Sequence, residues 1–140
     1  MKNLILILSI LILVSCGVKK TSSENKLFEI LTEQKDGGAS IQFYEIISEA
    51  KEIKMLLNDV NLRNKIQEKD INTANFVVVN IGKKLFGNNK IVIENVTETI
   101  NKIIVTISDN SKNNLANDNQ ETVNPYLILK INSKKEIEFK

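Results

Sequence analysis

The run Phe76-Val77-Val78-Val79-Asn80-Ile81 limits the possible folds of this chain more than any other stretch. β-branched and aromatic side chains fit the pleated surface of a strand. A strand with one wet face alternates apolar and polar residues, whereas a near-continuous apolar run marks a strand covered on both faces. The chain must therefore supply a layer on each side of this strand. A second run of the same kind, Tyr126 to Ile131, follows Pro125. Proline at the first position of a strand costs no central ladder bond.

The remaining strands read as weaker, alternating patterns. Leu27 to Gln34 alternates loosely, and Lys35-Asp36-Gly37-Gly38 is a turn, since glycine takes positive φ without a clash. Ile41 to Ile47 and Lys90 to Thr97 follow the strand pattern, and Ile103 to Ser108 returns antiparallel after Asn101-Lys102. Ile137 and Phe139 alternate with charged residues in an edge strand or a frayed end. Between the second strand and the central run, Ala50, Ile53, Leu56, Leu57 and Val60 recur at helical spacing behind Ser48, a suitable N-cap, and Glu49. Asn61 to Asp70 suggests a further short turn around Leu62 and Ile66, or an exposed connection. The pattern predicts an α+β fold: one mostly antiparallel twisted sheet of about six strands with the Ser48–Val60 helix packed on one face. A closed small barrel is the architectural alternative.

The first residues carry a different message. Lys2 precedes an apolar run from Leu4 to Val14, then Ser15, Cys16 and Gly17. This is the order of a secretory signal, and it is too short for a membrane span of about 20 apolar residues. Leu13-Val14-Ser15-Cys16 resembles a bacterial lipobox. In that family the chain is cut between the residues corresponding to Ser15 and Cys16, and the cysteine carries diacylglycerol and an N-acyl chain. Each buried methylene adds roughly 0.8 kcal/mol, so two or more chains anchor a domain stably. The expected organisation is a signal peptide over 1–15, a lipidated tether over 16–25 and one domain over 26–140. The resemblance implies a cell-envelope location. Gly17 is not the aspartate that often retains such proteins at the inner membrane, which favours the outer membrane facing the periplasm. Lys19-Lys20 would add only about 1 kcal/mol each toward anionic headgroups.

Composition narrows the chemistry. The chain has 140 residues, one cysteine, no histidine and a formal charge of +2. No internal disulfide is possible, so packing alone holds the domain. Triads built on histidine and histidine metal sites are excluded. The charge balance gives no nucleic-acid footprint. Paired carboxylates among Glu94, Glu98 and Asp109 could still exchange protons. The polar stretch Asp109 to Asn124 offers oxygen ligands, but Asn114 stands where a calcium loop needs its glycine, which makes a solvated loop the better reading. Asn95-Val96-Thr97 matches a glycosylation acceptor, but a bacterial strand gives that match no function. No cofactor, metal site or enzymatic activity is expected.

Phe76 to Ile131 resembles the C-terminal domain of the PrcB-type protease-complex subunit family. Phe76-Val77-Val78-Val79-Asn80-Ile81-Gly82 matches its apolar strand ending in glycine, and Ile91-Val92-Ile93 with Lys102 to Ile107 matches its middle strands. Asn124-Pro125-Tyr126 to Ile131 matches its final strand. The signature loop departs: Lys84 and Gly87 fit, while Leu85, Phe86, Asn88 and Asn89 stand where the family has Pro, Thr, Gly and Tyr. The resemblance implies a non-catalytic, membrane-anchored interaction subunit that associates with or stabilises an envelope protease complex, with Lys84 to Asn89 as the partner-contact loop. A small-ligand or ion-binding envelope lipoprotein is the alternative.

Overall fold

The computed structural model describes residues 26–87, 89–110 and 121–140. The strands are β1 (Phe28–Gln34), β2 (Gln42–Ile47), β3 (Asn75–Ile81), β4 (Lys84–Leu85), β5 (Ile91–Glu98), β6 (Lys102–Asp109), β7 (Thr122–Val123), β8 (Tyr126–Ile131) and β9 (Glu136–Phe139). Helix α1 (Ala50–Leu57) and a 3-10 turn at Glu68–Asn72 lie between β2 and β3. The α+β class expected from the pattern is what the chain adopts. The strands exceed the expected six and divide into a four-stranded antiparallel sheet, β1-β8-β3-β2, a three-stranded sheet, β5-β6-β9, and the short pair β4-β7. Two of the added strands, β4 and β7, are too short to leave an alternating pattern in the sequence.

The apolar runs become the two inner strands of the larger sheet, and each of their faces meets a different layer. Val77, Val79 and Ile81 of β3 join Leu127, Leu129 and Ile131 of β8 against Ile91, Ile103, Val105 and Ile137 of the smaller sheet. On the opposite face, Phe76 and Ile128 pack with Ile53 and Leu56 of α1 and with Leu62, Ile66 and Ile71 beyond it. The order is therefore helix layer, four-stranded sheet, three-stranded sheet. The tail is an edge strand: β9 runs parallel to β6, with Ile137 beside Ile103 and Phe139 beside Val105.

Local departures have local causes. The loose alternation of β1 arises from a register shift between Ile30 and Thr32, which sets Leu31 into the helix-side core. The helix cap is Glu49 rather than Ser48, because the Glu52 carboxylate accepts the backbone N–H of Ser48 at 3.2 Å and of Glu49 at 3.1 Å. The helix ends at Leu57, and Val60 is 72 % exposed, outside the buried stripe. Leu62 and Ile66 are both buried, so the connection after the helix belongs to the core. Lys130 on β8 meets Asp70 at 3.0 Å and ties the 3-10 turn to the sheet.

Phe76 is fully buried at the centre of the helix-side cluster. Phe76→Ala should lower unfolding free energy by about 3–5 kcal/mol, read from denaturant midpoints at unchanged slope.

Candidate functional site

The loop singled out by sequence begins where β3 stops. Gly82 has φ of +74°, and a Cβ there would lie 3.0 Å from the Gln42 nitrogen and 3.2 Å from the Ser40 oxygen. Only glycine combines that backbone with that approach. Lys83 N–H then donates to the Ser40 carbonyl at 3.1 Å, and the chain turns into β4.

Residues expected to form an irregular loop are therefore partly sheet. Lys84 pairs with Val123 and Leu85 with Thr122. Phe86 N–H extends the ladder to the Glu121 carbonyl at 2.8 Å. The Lys84 ammonium, with its side chain 12 % exposed, meets the Asp109 carboxylate at 2.7 Å. Asn89 donates its side-chain N–H to the Leu85 carbonyl at 2.6 Å, closing the turn behind Phe86. Phe86 is 67 % exposed. Gly87 has open space where a side chain would project. Asn88 lies outside the described residues. Thus Lys84, Leu85 and Asn89 position the turn, and Phe86 is its exposed apolar group.

The support behind this turn runs through Asn80, the polar member of the central run. Its side-chain oxygen accepts Ala39 N–H at 3.0 Å, and its side-chain nitrogen donates to the Ala39 carbonyl at 2.9 Å and to the Ile41 carbonyl. A Cβ on Gly38 would collide with the Asn80 oxygen and sit 2.8 Å from the Asn124 carbonyl. Gly38 N–H donates to that same carbonyl at 2.8 Å, and Asn124 N–H donates to Asp36 Oδ1 at 2.8 Å. The backbone N–H groups of Asn124 and Gly37 hold the Asp36 carboxyl below the usual aspartate range. Ile41, next to Gln42 at the start of β2, is 71 % exposed at this same end of the sheet. A cleft of about 240 Å³ flanks the turn between Gln34, Lys35, Asn89, Lys90 and Pro125.

Asn80 and Ile41 were absent from the residues that sequence put at this end. An asparagine inside an apolar run is itself a signal, because a buried amide needs partners. Its partners here lie some forty residues away along the chain, at Ala39 and Ile41.

The other candidates are dispersed. Asp109 stands opposite Ile91 and Glu98 opposite Ile103, at opposite ends of the β5–β6 ladder. Glu98 is paired with Lys135 at 2.9 Å, and Glu94 is exposed at the irregularity between Ile93 and Asn95. Among the described residues no three His, Cys, Asp or Glu side chains gather as a metal cage. No helix among those residues is long and apolar enough to cross a membrane. Ser15 and Cys16, the tether, and most of the Asp109–Asn124 stretch lie outside the described residues.

Gly82→Ala should destabilise the domain by about 1–2 kcal/mol through its positive φ and the backbone it would meet. Gly87→Ala, projecting into open space, should change stability by less than about 0.5 kcal/mol. Chemical denaturation of the two variants side by side checks both. No protein-family model matches the chain, and no curated protein or solved structure matches it either.

Proposed function

We propose that this chain is a lipid-anchored, non-catalytic interaction subunit of a bacterial cell envelope, with the Lys84–Asn89 turn as its partner contact. The observation that carries the reading is the exposed Phe86 ring on a turn fixed by the Lys84–Asp109 ion pair and by ladder and side-chain hydrogen bonds. A large apolar group held on an ordered backbone loses little conformational freedom on binding. Aromatic anchors of that kind dominate protein interfaces. Leu13-Val14-Ser15-Cys16 supports the anchor, with diacylglycerol and an N-acyl chain on Cys16. The likeness of Phe76–Ile131 to the PrcB-type C-terminal domain supports a protease complex as the partner, and Gly17 in place of aspartate after Cys16 supports outer-membrane attachment facing the periplasm.

Two measurements test the reading. Mass spectrometry of the mature protein should find residue 16 as the first residue, carrying lipid; a retained Met1 or an unmodified thiol at residue 16 overturns the anchor. Crosslinking in solubilised membranes should capture a reproducible protein neighbour. Phe86→Ser should lower that yield about tenfold or more, as loss of an interface anchor does, while the denaturation midpoint stays unchanged. A midpoint that falls with the yield would make Phe86 a folding residue instead.

A further inference from the structure

Among the described residues the two larger sheets present four open edges, and three of them carry devices that discourage pairing with another strand. β1 has a register shift between Ile30 and Thr32, exposed Glu29 and Glu33, and a Leu31 carbonyl already taken by the Lys65 ammonium at 2.6 Å. β5 is irregular between Ile93 and Asn95 and carries Glu94 and Glu98. β9 is four residues long, with Glu136 and Glu138 flanking Ile137 and Lys140 following it. Bulges, charges and shortness are the usual protections of an edge.

β2 has no bulge and is less charged than the others. Its register with β3 runs without interruption from Gln42 opposite Ile81 to Ile47 opposite Phe76. Glu45 is its one charged residue. Ile46 is 36 % exposed, and Ile41 just before the strand is more exposed still. The segment Ile41-Gln42-Phe43-Tyr44-Glu45-Ile46-Ile47 is rich in β-branched and aromatic residues. A regular, weakly charged edge of this composition is a template for another strand.

We infer that β2 pairs antiparallel with β2 of a second copy of this chain, joining the two four-stranded sheets across a two-fold axis. Its own sequence supplies a complementary partner. Residues facing each other in an antiparallel pair point to the same side of the sheet, so about a two-fold axis their numbers sum to an even number. Centring the seam on Tyr44 places Tyr44 beside its symmetry mate, Gln42 beside Ile46 of the second copy and Ile41 beside Ile47 of the second copy. The lone charge, Glu45, then faces Phe43 of the second copy. Moving the centre to Glu45 would set two carboxylates against each other, a destabilising arrangement. Tyr44 is already oriented by Phe139 of β9, with ring centroids 5.0 Å apart. This seam uses the edge of the sheet and is independent of the contact proposed for Phe86.

The register makes the test specific. Gln42 and Ile46 are both exposed on the edge, so the lone domain should tolerate charge at either. Sedimentation of the full-length chain in mild detergent should show a dimer. Gln42→Lys with Ile46→Lys sets like charges together twice across the seam and should raise the dimer dissociation constant about tenfold or more. Gln42→Lys with Ile46→Glu sets opposite charges together and should keep the dimer. Circular dichroism of both variants should match the wild-type chain. A wild-type chain that stays monomeric throughout the titration overturns the proposal. So does a dimer that the double-lysine variant leaves intact, or one that both variants dissolve equally.

Discussion

The structure depends on the two-sided burial of the β3–β8 pair. Phe76 and Ile128 face the helix layer, while Val77, Val79, Leu127 and Leu129 face the smaller sheet. At roughly 1.5–3 kcal/mol for each fully buried large apolar side chain, this pair is the main contribution that offsets the ordering of a disulfide-free domain. Everything else is arranged as cover. Helix α1 lies on one side, β5, β6 and β9 lie on the other, and β1 and β2 close the lateral hydrogen bonds. Removing either cover would expose a continuous apolar surface, so neither layer can be treated as an accessory to the other.

Residues whose environment is set by neighbours in sequence were legible. The Phe76–Ile81 run announced its own burial, and the spacing of Ile53 and Leu56 marked the helix face that meets the sheet. Features that depend on distant partners were not. The parallel pairing of β9 with β6 leaves no trace in the alternation of Ile137 and Phe139, because an antiparallel edge would alternate in the same way. By residue type Ser48 is the better cap, and it is the reciprocal capping box of Glu49 with Glu52 that sets the cap one residue later. At the candidate site, the Gly82 turn was readable from its glycine. The ion pair of Lys84 with Asp109 was not, because it forms between residues 25 positions apart once β6 has been placed.

The same end of the sheet shows how polar groups are used without weakening the core. Asn80 is 1 % exposed, yet its amide bonds to the backbone at Ala39 and Ile41, so the burial carries its own compensation. Those bonds fix the approach to β2, and Gly82, pressed against Gln42, fixes the exit from β3. One buried amide therefore helps to position both the β2 edge and the turn that carries Phe86. Two surfaces with different partners would share a single rigid support, which couples their positions without requiring either to move.

The lateral order β1-β8-β3-β2 also constrains the way the chain reaches this state. β1 finds its place only beside β8, whose residues come about a hundred positions later, as in the pairing of Phe28 with Ile131. Until β8 is available, β1 lacks its neighbour in the sheet and β3 lacks one of its two. The β5–β6 hairpin closes over a short return and can form early, whereas the central sheet waits for nearly the whole chain. Assembly of the central sheet is therefore coupled to completion of the chain, because the first half alone lacks the strand that joins β1 to β3.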